Sequence, residues 1–266
     1  LVNSLYNIVD SVFVSRISED ALSALSLAFP VQNLLISFAV GTAVGVNALL
    51  SKSLGEKNYE QVNRSAQNGL FLSCCTFVPF LLFGLFGTRA FFHAQTTNAA
   101  IRQYGIDYLG IVCVLSIACF LQCMLEKLLV ATGRSFYAMI TQLAGALTNI
   151  ILDPIFIFVL NMGTAGAALA TALSQVVSFV ILLIMCNTKA DALSIRFKNF
   201  KPSLKIYGSI LYNGIPSLGR QGIASVSNIL LNTAAECFST GAFTLSTRCF
   251  RYSKKKSSPF IVKTRT

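Results

Sequence analysis

Asn149-Ile150-Ile151-Leu152-Asp153-Pro154 lies within the apolar run Ala138 to Leu160, which is long enough to cross a bilayer. A carboxylate near the centre of such a run costs roughly 2.5–3.5 kcal/mol on insertion scales. Asn149 and Asp153 are one helical turn apart, so on a helix both side chains leave from the same face. Pro154 has no N–H to donate, and its ring clashes with the carbonyl of Ile150. A polar face and a helix break are therefore expected within one turn. Irregular backbone at that depth is tolerated only where it lines a cavity or is buried in protein. The stretch reads as an ion or substrate site in a membrane helix, and the rest of the chain is searched for its partners.

Composition supports the membrane. The chain has 266 residues, of which 54% are hydrophobic and 12% charged, about half the charged share of a soluble domain. The net charge of +11, from 21 basic and 10 acidic residues, falls mostly in loops and the tail. There it reports topology rather than nucleic-acid binding. The cysteines, among them Cys74, Cys75, Cys113, Cys119 and Cys123, lie almost all in apolar runs without metal-ligand spacing, so they read as small buried hydrophobes. The single histidine, His93, reads as a surface or interfacial residue. The chain opens at Leu1 within an apolar run, without Met or a basic leader. This predicts that its true start lies upstream and that no cleavable signal peptide is present.

Seven apolar segments of about spanning length are expected: Leu1 to Ser15 (partial), Ala24 to Leu50, Ala66 to Phe86, Tyr108 to Ala131, Ala138 to Leu160, Ala165 to Cys186 and Ile206 to Ala235. Lys52, Lys57, Arg64, Lys127, Arg134 and the basic run Lys189 to Lys205 fall on one side, against Arg16, Arg89 and Arg102 on the other. The positive-inside rule places the first group in the cytoplasm. The fold class is all-α and polytopic. Residues 1–186 form a six-helix lobe with its first helix truncated, 187–205 a basic cytoplasmic linker, 206–248 the first helix of an incomplete second lobe, and 249–266 a basic tail that breaks the pattern. A frameshift or an incomplete gene is the simplest reading of that tail. Gly163, Gly166, Ala167 and Ala170 give segment six a small face for close helix packing, and Gly41 and Gly45 do so in segment two.

Depth links the polar residues. Counted at about 1.5 Å per residue from the outer segment ends, Asp10, Asp153 and Thr171 all lie roughly 9–12 Å below the outer surface. Asn7 shares a face with Asp10, Tyr6 lies one turn before it, and Asn149 lies one turn below Asp153. Two carboxylates flanked by amide and hydroxyl oxygens suit a small hard cation or a shared proton. Glu126 and Lys127 read as an interfacial pair near the cytoplasmic end of segment four. Arg220 is expected to snorkel toward the cytoplasm, and Gln221 to face a cavity.

Three stretches carry a family resemblance: Leu5-Tyr6-Asn7-Ile8-Val9-Asp10, then Thr148-Asn149-Ile150-Ile151-Leu152-Asp153-Pro154, then Gly166-Ala167-Ala168-Leu169-Ala170-Thr171-Ala172-Leu173-Ser174-Gln175. In order and spacing they resemble helices one, five and six of the multidrug and toxic compound extrusion (MATE) transporters, in the DinF-like branch. Gly214-Ile215-Pro216-Ser217 resembles the start of that family's second lobe. The resemblance implies twelve helices in two lobes around a central cavity. It also implies a cell-membrane antiporter, not an enzyme, that exports cationic amphipathic drugs or toxic compounds against Na⁺ or H⁺, with no other cofactor. Carried onto this chain, it implies a cation site of Asp10, Asn149, Asp153 and Thr171. Tyr6, Asn7, Gln175 and Gln221 would stand next to that site or in the cavity, and Pro154 and Pro216 would break their helices. The missing second lobe would complete the full-length protein. The alternative is a flippase for lipid-linked oligosaccharides, which ranks lower because a diphosphate cargo favours basic cavity residues and the first six segments place none at mid-depth. An intramembrane enzyme ranks lower still, since one histidine cannot supply a zinc-protease motif.

Overall fold

In the computed structural model of the chain, the residues described are Phe13, 18–189, 202–223 and Ser227. The first expected segment, with Tyr6, Asn7 and Asp10, lies outside them, as do most of the linker and the tail. Unit 1 of the chain, Leu1–Ile223, holds everything discussed below.

Five spans follow one another. Helix α1 is Glu19–Gly55. Helix α2, Tyr59–Leu82, continues through a π-helical turn, Phe83–Gly87, into α3, Thr88–Gln95. Helices α4, Ala99–Leu115, and α5, Ile117–Ala131, form one span bent by 46°. Helix α6, Ser135–Pro154, runs into a second π-helical turn, Ile155–Val159, and α7 is Gly163–Lys189. A further helix, α8, covers 204–223. The spans are longer than expected, most of all where the third meets the fourth. The third runs to Gln95 rather than Phe86, and the fourth begins at Ala99 rather than Tyr108. In both, polar ends extend helices that the apolar runs alone define too narrowly.

Local chemistry sets the ends. Ser18 accepts a hydrogen bond from the Ala21 N–H at 3.0 Å, and Glu19 and Asp20 occupy the first turn of α1, where the helix dipole favours negative charge. Asn58 and Asn98 cap α2 and α4 in the same way. Lys57 at φ 54° and Gly133 at φ 78° turn the chain on the basic side. Asn161 at φ 52° and Gly163 at φ 58° turn it on the opposite side. Gly163 has open space around its Cβ position, so it serves the turn rather than the packing face expected for it.

Neither proline stops its helix. Pro154 keeps helical angles, φ −64° and ψ −29°, and the chain absorbs the lost bond by widening into the Ile155–Val159 π-turn. Pro216 lies inside the uninterrupted helix 204–223. The expected break at Pro154 is thus a register shift, and at Pro216 the helix continues unbroken. The bend of the fourth span falls instead at Ser116, whose hydroxyl donates to the Cys113 carbonyl at 2.8 Å and competes with the helical ladder there.

α1 packs against α2, α4 and α5, and α7 packs against α4, α5 and α6. Leu35, Phe77, Phe92, Tyr108 and Phe120 form one buried cluster, and Val46, Leu50, Met124, Leu128 and Leu182 a second. Phe86, Ile151 and Val159 stay 60–76% exposed, as side chains facing lipid should. Of the cysteines, Cys113, Cys119 and Cys186 are buried, whereas Cys75 is exposed and so departs from the expected pattern. His93 is exposed and sits 3.1 Å from the Arg102 guanidinium.

Gly166 fits α7 onto the π-turn. A Cβ there would stand 2.8 Å from the Phe156 carbonyl oxygen and 2.9 Å from its carbon. Backbone atoms cannot step aside, so overpacking of about 1–3 kcal/mol is expected. Gly166→Val should lower the melting temperature in detergent by several degrees, as read by a thiol-reactive dye. Gly208→Val, where nothing lies within 4 Å, should change it little.

Candidate functional site

The Asn149-Asp153 face turns inward, toward α7. Both residues are fully buried and Thr171 is 8% exposed. Asn149 Nδ2 donates to Asp153 Oδ1 at 3.3 Å and approaches Thr171 Oγ1 at 3.5 Å. Both contacts are long for N–H···O bonds, so three polar groups surround one point without closing tightly on each other. Thr171 donates its hydroxyl proton to the Ala167 carbonyl at 3.0 Å, and Ser174 donates to the Thr171 carbonyl at 2.8 Å. These bonds hold the Thr171 side chain with an oxygen lone pair toward Asn149. The Asn149 Oδ1 atom is buried with no hydrogen-bond partner among the described residues, which is costly for an amide oxygen.

Helix geometry explains the juxtaposition. The one-turn spacing of Asn149 and Asp153 places both on the α6 stripe facing α7. Ser178 ties the two helices again, donating to the Thr141 carbonyl at 3.4 Å, and Gly166, Ala167 and Ala170 let them approach. Of the four expected cation-site residues, the structure brings together Asn149, Asp153 and Thr171. Asp10 lies outside the described residues.

Thr171 also faces a second space. A cavity of about 310 Å³ lies between α1, α5, α6, α7 and α8, and Thr171, Gln175 and Gln221 line it, the last two as expected from the sequence. Three features of its wall were not. Gln32, Gln122 and Gln142 add carboxamides. The Glu126–Lys127 ion pair forms at 2.9 Å on the cavity wall, with side chains 12% and 25% exposed. Arg220 also lines the cavity, as an exposed residue. In each case the sequence signal was a polar stripe at helical spacing inside an apolar run. Gln122 and Glu126 are i, i+4, as are Thr171 and Gln175.

Beyond the cavity residues on the same two helices, α1 and α8 cross tightly. A Cβ at Gly45 would collide with the Ile210 carbonyl oxygen, one at Gly41 with the Leu218 side chain, and one at Gly214 with the Gly41 carbonyl. Nearby, the Ser203 N–H donates to Asn68 Oδ1 at 3.2 Å. At the other end, Asn98 Nδ2 donates to Asp20 Oδ1 at 3.4 Å, joining the outer ends of α1 and α4.

Comparison with known proteins adds an independent line. The MatE family model matches residues 1–155. The chain is 28% identical over 233 residues to the multidrug export protein MepA of Staphylococcus haemolyticus, covering 87% of this chain and 52% of that protein. It is 28% identical over 242 residues to MepA of Staphylococcus aureus. A multidrug resistance MATE family transporter of the MOP superfamily, solved in an inward-facing conformation, superposes with a TM-score of 0.83 at 30% identity, covering 87% of this chain and 53% of that one. The chain spans about half the length of the curated relatives it matches.

Proposed function

The chain belongs to the MatE family of multidrug and toxic compound extrusion transporters, and from that premise we propose that it supplies one lobe of an ion-coupled exporter of amphipathic small molecules. It is a multi-pass membrane protein, and the proposed setting is the cell membrane. The observation that carries the reading is Thr171. Its hydroxyl meets the buried Asn149-Asp153 pair on one side and its residue lines the cavity on the other. A cation held by the Asp153 carboxylate, the Asn149 carbonyl and the Thr171 hydroxyl would reorder the wall that cargo touches. The oxygen-only donor set suits Na⁺, and a proton on Asp153 would neutralise the same charge. The proposed site includes Asp10 as the second carboxylate, with Tyr6 and Asn7 beside it. The proposed role is transport rather than catalysis, a reading supported by the family match and by relatives that are multidrug export proteins. In a full-length protein of this kind, the matching second lobe would close the cavity, and rocking between lobes would alternate its access.

The direct test is binding of radioactive sodium to the chain in lipid nanodiscs. Thr171→Val keeps the shape and removes the hydroxyl, and a lost coordinating group of this kind is expected to weaken binding roughly tenfold. Serine at the same position should restore it. Unchanged binding in Thr171→Val would remove Thr171 from the site.

A further inference from the structure

Helix α5 carries two thiols one turn apart. Cys119 and Cys123 stand at i and i+4, so they share a helix face. Their side chains are in hydrogen-bond contact with each other, and both line the cavity of about 310 Å³. Cys119 is buried and Cys123 half-buried. The other described cysteines make no such pair. Cys74 and Cys75 are adjacent in sequence, so their side chains leave α2 in different directions. Cys113 and Cys186 sit in separate buried clusters.

We propose that Cys119 and Cys123 form a dithiol site that captures trivalent organoarsenicals, compounds with one carbon substituent and two hydroxyls on arsenic. The site goes beyond the export reading and does not depend on it, because it is built from the cavity wall alone. Ligand number selects the compound. Structural zinc takes four protein ligands, and inorganic arsenite takes three thiolates. Among the described residues, no group of three His, Cys, Asp or Glu side chains could hold a metal ion. A monosubstituted arsenical needs only two thiols. Geometry narrows the choice further. Two-coordinate Cu⁺, which thiolates favour, holds its sulfurs on opposite sides of the metal, and sulfurs in mutual contact do not offer that. Arsenic is pyramidal, so its two sulfurs stay close together. Ile36 and Val40 of α1 line the same cavity and give the organic substituent an apolar surface. On capture, two As–S bonds form and two As–OH bonds break. Each thiol proton leaves with a hydroxide as water, arsenic stays trivalent, and no oxidant is required. Reactants and product are neutral, so no charge enters the apolar wall.

The probe is phenylarsine oxide, which water hydrates to the dihydroxide. It is added to the 266-residue chain in phosphatidylcholine nanodiscs with excess mercaptoethanol present. A monothiol displaces a singly bound arsenical but competes poorly with a pair, because the second bond is intramolecular. By intact mass, the native chain should gain one phenylarsenic unit and lose two hydrogens, and ethanedithiol should reverse this. Cys237 and Cys249 lie outside the described residues, so peptide mapping locates the adduct. The arsenical should protect Cys119 and Cys123 from N-ethylmaleimide and leave the exposed Cys75 open to it. Cys119→Ser and Cys123→Ser should each weaken capture roughly a hundredfold or more, whereas a double variant of Cys74→Ser with Cys75→Ser should keep it. No adduct on the native chain, an adduct mapped to other cysteines, or full capture by Cys119→Ser would overturn the proposal. The protection pattern is read on the native chain, so it decides even where a serine variant does not fold.

Discussion

Replacing Asp153 with Asn is expected to abolish sodium binding and, in a full-length protein, ion-dependent export. The carboxylate is fully buried, and the surrounding donors are an amide and a hydroxyl, which orient a cation but do not neutralise it. Asparagine has nearly the same shape, so the variant removes charge without leaving a cavity. Breaking a buried charge pair costs about 3–5 kcal/mol, more than roughly a hundredfold in affinity. Folding should survive. Without a cation, the buried carboxylate carries a desolvation cost that the amide lacks, so the melting temperature should hold or rise. The measurement is radioactive sodium binding at acidic and alkaline pH together with a thermal melt. If the native chain binds no sodium, the coupling ion is the proton, and the pH dependence of dye transport should disappear in the variant. Ion binding or pH dependence as strong as in the native chain would refute the site.

Gly45→Val is expected to have the second large effect, at the α1–α8 crossing. The added side chain meets the Ile210 backbone carbonyl and the Gly214 amide rather than a flexible side chain. α1 and α8 must separate at this crossing. Overpacking costs about 1–3 kcal/mol, so the melting temperature should fall by roughly 3–10 °C. Export should also fall, because the crossing cannot close. Gly55→Val is the control, since nothing lies within 4 Å of its Cβ position. A melt identical to that of the native chain for Gly45→Val would mean that the two helices do not pack as described.

The comparison of sequence and structure is instructive at particular residues. The Asn149-Asp153 pair was legible because helical periodicity places residues four apart on one face, and because an acid in an apolar run demands a polar partner. Thr171 was legible by depth alone. Gln175 and Gln221 were placed in the cavity correctly. Glu126, Lys127 and Arg220 were not read as cavity residues, because the sequence shows their distance from a helix end but not which neighbouring helices they face. The bend at Ser116 arises from a hydroxyl competing for the Cys113 carbonyl, a choice that serines in apolar helices make in only some packing contexts. Pro154 and Pro216 misled in the opposite direction. Proline chemistry predicts a lost hydrogen bond, but whether the helix breaks or widens depends on what packs beside it, and at the turn after Pro154 Gly166 of α7 lies against Phe156.

From the chain alone came the class of protein, a helical membrane bundle, and the polar stripe of each span. Hydropathy, charge asymmetry and the 3.6-residue period are properties of consecutive residues, and they need no knowledge of neighbours. The tertiary structure alone decided which stripes face each other and that Thr171 stands between the Asn149-Asp153 pair and the cavity. Those outcomes depend on close approaches at Gly41, Gly45 and Gly166 between helices distant in sequence, where the absence of one Cβ sets how near two backbones come.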